Sequence, residues 1–136
     1  MYAKLENFTV VELSETNQAE FIEVPDFVTL GYYSENGVDW TSADCNPYVL
    51  ADRERIEGLW QAAHDYEFAS VNGSGVGLIT MGVLQGLSKA LSVQLWVKSI
   101  WAEYYLRKAN GSQDLDFSVV GNCPHSIPEL MSELGI

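Results

Sequence analysis

The hydrophobic pattern of this sequence changes once along its 136 residues. Up to about residue 41, apolar residues occur in short runs rich in β-branched and aromatic side chains, which favour strands. From about residue 49 they recur every three or four residues, the spacing that places them on one face of a helix. Strands followed by helices predict an α+β fold. We predict a single domain, 1–136, in which an N-terminal β-hairpin unit (1–41) precedes a mainly helical part (49–136) with a bundle of about three helices and a short C-terminal helix.

The N-terminal part carries two turn signals. Asparagine at Glu6-Asn7 supplies turn geometry between two extended runs. Asn36-Gly37 lies between two further apolar runs, and this dipeptide is the strongest short hairpin signal. The extended segments predicted here are two strands within 2–13, one at 21–24, one at 27–33 and one at 38–40.

The helical part has clear start and stop signals. Asn110-Gly111 ends the most regular helix, and Ser126, followed by Pro128 and Glu129, begins the last one. The glycine-rich segment 72–75 is interpreted as a flexible turn between helices. The predicted helices run over 49–70, from about 76 to 90, from about 92 to 109, and from Ser126 to about Leu134.

The segment 76–97 is long and apolar enough to raise a transmembrane alternative, since Lys89 is its only charge. Polar residues interrupt it, so two buried helices with a break near Ser88-Lys89 are favoured. Gly82 and Gly86, four residues apart, would let these helices approach closely.

The charge is strongly negative and unevenly distributed. Nineteen acidic residues against seven basic ones give a net charge of −12. Residues 1–50 hold nine acidic residues against Lys4 alone, whereas 71–111 have a net charge of +3. A field of this sign repels phosphate, so we expect no direct nucleic-acid binding and no membrane association.

No motif assigns catalytic, cofactor or metal chemistry. The run Gly73-Ser74-Gly75 is not followed by the lysine of a phosphate-binding loop. Four residues could ligate zinc in principle, but without the spacing of paired ligands; they are Cys45, His64, Cys123 and His125. We therefore predict a non-enzymatic protein without cofactor or metal.

Two distant cysteines and no signal peptide favour a reducing compartment.

The helix predicted at 92–109 is apolar around much of its circumference, which leaves two interpretations open. Its aromatic residues, with Trp60, form the core alone, or they form the core and an interface with another chain. Tyr and Trp are enriched among the residues that dominate interface energies. The candidate interface residues are Trp96, Ile100, Trp101, Tyr104 and Tyr105.

The opening segment Met1-Tyr2-Ala3-Lys4-Leu5-Glu6-Asn7-Phe8-Thr9-Val10-Val11 resembles the start of small tail and tail-fibre accessory proteins of bacteriophages. The segment 28–33, followed by Asn36-Gly37, is similar to the continuation in those proteins. Phe8 stands where a glycine is common in them. The resemblance implies a structural or assembly role in the virion or the host cytoplasm, through self-association or contact with other virion subunits, and it transfers no catalytic residue.

The acidic balance supports a different function. The chain would be a small phage-encoded inhibitor that binds a basic host protein as a nucleic-acid mimic, with residues 6–44 as its working surface. Salt-sensitive binding to a basic protein would favour this alternative, and salt-resistant self-association would favour the assembly role.

Overall fold

A computed structural model describes residues 1–136, which form two compact units, 1–54 (the N-terminal unit) and 55–136 (the C-terminal unit). A three-stranded antiparallel sheet comes first and four helices follow, which confirms the predicted α+β fold. The division between the units falls within the first helix, α1 (Pro47–Phe68). Each unit has a hydrophobic core of its own.

The N-terminal unit is built on the predicted hairpin. Its strands are β1 (Tyr2–Glu6), β2 (Thr9–Ser14) and β3 (Ile22–Glu23), in the order β2-β1-β3. Asn7 and Phe8 form the turn with φ angles of 49° and 61°, the left-handed conformation that a two-residue hairpin of this type needs. The aliphatic core of this unit consists of Ala3, Val10, Val24 and Val28.

The strands predicted at 27–33 and 38–40 are absent, so this part of the prediction is wrong. Two isolated bridges remain, between Thr9 and Tyr33 and between Tyr33 and Thr41, and the backbones of the second pair exchange hydrogen bonds of 2.9 and 2.8 Å. The Asn36 side-chain oxygen accepts bonds from the backbone N–H groups of Val38 and Asp39, each at 2.8 Å. Side chain–backbone bonds of this kind compete with strand pairing, which explains why the loop forms no ladder.

The remaining helices are α2 (Gly73–Leu84), α3 (Ser88–Ala109) and α4 (Ile127–Leu134). All four predicted helices are present, but α2 begins and ends earlier than predicted and α3 begins earlier. The segment interpreted as a flexible turn is the first turn of α2, because the Asn72 side chain caps it by accepting a bond from Gly75 N at 3.1 Å. None of the helices has the length and apolar character needed to span a membrane.

Gly82 sets the spacing between α2 and α3. A β-carbon added there would lie 2.4 Å from the Ala90 Cβ, so only glycine permits this approach. The predicted close contact is thus confirmed at Gly82. Gly86 instead adopts a φ of 71° just after α2, where it helps to end the helix.

Side chains from distant parts of the sequence cap both ends of α3. The Glu133 carboxylate accepts bonds from Lys89 N at 3.0 Å and from Ala90 N at 3.3 Å, at the positive end of the helix. Arg55 donates to the carbonyls of Lys108 and Ser112 at the negative end. Both charges match the helix dipole, so α3 is fixed within the C-terminal unit by its ends as well as by its core face.

Candidate interaction surface

The five residues predicted from sequence as interface candidates divide between core and surface. Trp96, Ile100 and Tyr104 are buried in the core of the C-terminal unit, so they are not available to another chain. Trp101 is partly exposed, and Tyr105 is 64% exposed. The surface part of the α3 stripe therefore consists of Trp101 and Tyr105.

These two residues extend a row of rings on α1. Trp60, His64 and Phe68 follow one another at four-residue intervals, which places them on one side of the helix. The His64 ring stacks on both neighbours, with centroid distances of 5.1 Å to Trp60 and 4.4 Å to Phe68. We call the set Trp60, His64, Phe68, Trp101 and Tyr105 the aromatic surface.

Ring contacts join the two helices, directly between Trp60 and Trp101 and through buried Tyr104 to Tyr105. The Trp60 and Trp101 centroids lie 6.0 Å apart. Buried Tyr104 contacts both Trp101 and Tyr105, with centroid distances of 5.5 and 5.1 Å, and so supports the exposed rings from below. Trp60 nevertheless remains 46% exposed. Large rings held in place by their neighbours lose little conformational entropy on binding, which suits them to a protein interface.

The charge of the C-terminal unit is small. Residues 55–136 contain five basic and eight acidic residues, a net charge of −3. Residues 1–54 contain two basic and eleven acidic residues, a net charge of −9, and the two units sum to −12. The aromatic surface thus lies on the unit that would repel a second copy least.

A small apolar groove lies beside this surface. It is about 140 Å³ in volume and is lined by residues from the end of α1, from α2 and from α3. Val76, Ile79 and Val97 supply apolar walls, and Glu67 also lines the groove. Glu67 Oε1 accepts a hydrogen bond from the Trp101 indole N–H at 3.3 Å. This bond connects a residue that lines the groove with a residue of the aromatic surface.

A second cavity, of about 410 Å³, contains the reactive side chains Cys123 and His125. His125 Nδ1 lies 2.8 Å from Glu129 Oε2, and Glu129 also completes a capping box with Ser126 at the start of α4. The hydrogen bond with His125 holds the pKa of Glu129 below its usual value. Burial raises the pKa of the Cys123 thiol, which keeps it protonated and weakly nucleophilic. The polar groups here stabilise a helix end, and the thiol is not activated.

Two rings of the aromatic surface, His64 and Phe68, are not among the interface candidates predicted from the sequence, where His64 was considered only as one of four possible zinc ligands. The available signal was the spacing of Trp60, His64 and Phe68 at four-residue intervals along one helix. No group of three His, Cys, Asp or Glu side chains is arranged to hold a metal ion.

Comparison with protein families, with curated proteins and with solved structures gives no match to this chain.

Proposed function

We propose that this chain is a non-enzymatic structural or assembly protein of a bacteriophage tail, which works by protein–protein contact through the aromatic surface. The observation that carries the proposal is the set of partly exposed rings on α1 and α3, which ring contacts join to one another. Contiguous exposed rings of this kind often mark sites of protein–protein interaction. The likeness of residues 1–40 to phage tail accessory proteins supplies the phage context.

The contact is proposed to join copies of this chain. The C-terminal unit carries a net charge of only −3, so two copies of it repel each other weakly. A two-fold symmetric interface places the same patch of both copies face to face. The two rows of rings would then pack against each other. Aromatic side chains at the centre of such a patch dominate its energy.

The test is the solution mass, measured by light scattering coupled to size exclusion at low and high salt. We expect a defined oligomer that survives high salt, since its interface is apolar. Tyr105→Ala should weaken self-association at least tenfold, a typical hot-spot effect. Leu84→Ala is the matched control, because Leu84 is 82% exposed on α2 and lies outside the aromatic surface.

Two outcomes would contradict this proposal. One is a wild-type chain that remains a monomer at all concentrations. The other is an equal effect of Tyr105→Ala and Leu84→Ala on the oligomer, with both variants folded.

The charge of the N-terminal unit favours a second candidate function, inhibition of a basic host protein by nucleic-acid mimicry. All nine acidic side chains of residues 1–50 are exposed. Lys4 lies 3.9 Å from Glu20, and the N-terminal amine lies 3.9 Å from Asp26. Exposed carboxylates in such excess would attract a basic partner in a salt-dependent way.

This candidate is tested by binding to a purified basic nucleoid protein of a bacterial host. Binding that weakens with salt, and that duplex DNA displaces, would support mimicry. Failure to bind at low salt, together with a salt-resistant oligomer, would leave the assembly role as the supported function.

A further inference from the structure

Glu67 is a buried carboxylate without a cation. The residue is only 9% exposed, and its side chain has one hydrogen bond, from the Trp101 indole at 3.3 Å. No basic side chain forms an ion pair with it. The other partly buried glutamates of this unit are better satisfied: Glu103 pairs with Arg107 at 2.9 Å, and Glu133 caps α3.

A carboxylate offers about four acceptor positions, of which one is used here. Burial of an ionised group is unfavourable unless an opposite charge or several hydrogen bonds compensate for it. A ligand that brings a cation into the groove would therefore gain an interaction that the free protein lacks. The Glu67 carboxylate thus favours a positively charged ligand group.

The groove walls define the size and the apolar character of the ligand group. Val71, Val76, Ile79 and Val97 line the groove, and its volume is about 140 Å³. At about 30 Å³ per water, this holds the equivalent of four or five heavy atoms. An aliphatic chain with a terminal ammonium has this bulk. The side-chain oxygens of Thr80 and Gln94, which also line the groove, can accept the remaining ammonium protons.

We propose that this groove accepts a lysine side chain of the protein partner that binds the aromatic surface. The proposal deepens the proposed function and rests on it, because Trp101 belongs to the aromatic surface and also contacts Glu67. A partner seated on these rings would place a neighbouring lysine at the groove. Lysine fits better than arginine, because a lysine side chain has five heavy atoms, which matches the groove volume of about 140 Å³, whereas an arginine side chain has seven.

The Trp101 indole N–H reports on occupancy of the groove through its hydrogen bond with Glu67. The experiment uses the ¹⁵N-labelled full chain, with the Trp101 indole resonance assigned by its loss in Trp101→Phe. The probe is lysine blocked at both backbone ends. Norleucine and Nε-acetyl-lysine, blocked in the same way, are the uncharged comparisons. We expect a saturable shift with blocked lysine and a much smaller one with either comparison.

Two variants test the geometry. Glu67→Gln keeps the shape and can still accept the Trp101 bond, and it should weaken lysine binding at least tenfold. Val76→Phe should narrow the groove and also reduce binding, so the proposal does not depend on one variant. Glu57→Gln, an exposed change on α1, is the control and should leave the titration unchanged.

The proposal is overturned if blocked lysine gives no saturable shift, if norleucine binds equally well, or if Glu67→Gln binds lysine as the wild type does. These results are separate from the test of the aromatic surface. A chain that self-associates through Tyr105 but does not bind the probe refutes the lysine groove alone. A chain that binds the probe but stays monomeric refutes the proposed self-association alone.

Discussion

Removing the Glu133 carboxylate should destabilise α3, although the two lie far apart in sequence. Leu87 occupies the N-cap position of α3 and has no side chain that can cap the helix. The Glu133 carboxylate caps the helix instead. Its two oxygens lie 3.0 and 3.1 Å from Lys89 N, and it also accepts hydrogen bonds from Ala90 N and the Ser88 hydroxyl. Glu133→Ala would leave these donors without a protein acceptor.

The expected cost follows from two contributions. Loss of an N-cap acceptor costs about 1 kcal/mol. Loss of a partly buried negative charge at a helix N-terminus costs about 1 kcal/mol more. Glu133→Ala should thus lower the free energy of unfolding by about 2 kcal/mol. Glu133→Gln keeps an acceptor without the charge and should cost about 1 kcal/mol. In a unit of this size, 2 kcal/mol corresponds to a fall in melting temperature of about 10 °C.

Urea unfolding at neutral pH, followed by tryptophan fluorescence, measures this effect. Three of the four tryptophans, Trp60, Trp96 and Trp101, lie in the C-terminal unit and report on it. Glu57→Ala is the control, since it removes an exposed carboxylate and should change stability by less than about 0.5 kcal/mol. An effect of Glu133→Ala as small as that of this control, or a larger cost for Glu133→Gln than for Glu133→Ala, would contradict this capping role of Glu133.

Two further predictions concern α2 and α4. Gly82→Ala should destabilise the protein by about 1–3 kcal/mol, because the added methyl group would meet Ala90 at 2.4 Å, and Gly77→Ala, with nothing within 4 Å of its added carbon, should stabilise α2 by about 0.5–1 kcal/mol. Thermal unfolding followed by circular dichroism should show these opposite signs, and equal signs would contradict the packing. The pKa of Glu129 is lowered, chiefly by its bond with His125, so its stabilising effect is present above its ordinary pKa of 4.5 and is lost as the pH falls through the lower folded value. Between about pH 6 and pH 3, urea midpoints should therefore fall more steeply for the wild type than for Glu129→Gln, and parallel curves would refute this linkage.

Local signals in the sequence determined much of the secondary structure. The hairpin at residues 2–14, the stop at Asn110-Gly111 and the capping box of Ser126 and Glu129 were all recognisable, because each acts within a few residues. Errors arose where two local signals competed. At Asn36 the side chain bonds the backbone and replaces a strand ladder. At Asn72 the side chain caps α2, whose first turn was predicted from its glycines to be a flexible turn between helices.

The candidate surface was only partly predictable. Trp101 and Tyr105 were named from the sequence, but so were Trp96, Ile100 and Tyr104, which belong to the core. All five lie on one broad apolar stripe of α3, and the pattern of a helix does not indicate which part its neighbours cover. Which of these residues are buried and which are exposed depends on how α3 packs against the other elements of the C-terminal unit.

The sequence by itself determined that strands precede helices, the end of α3, the bounds of α4 and the excess of acidic side chains in the N-terminal unit. Only the tertiary structure decided which rings are exposed, that Glu133 caps α3 and that Glu67 lines an apolar groove without a cation. The physical reason is the range of each effect. Backbone propensity and local capping act within one or two turns, whereas burial and the side-chain hydrogen bonds of Glu67 and Glu133 join residues more than thirty positions apart.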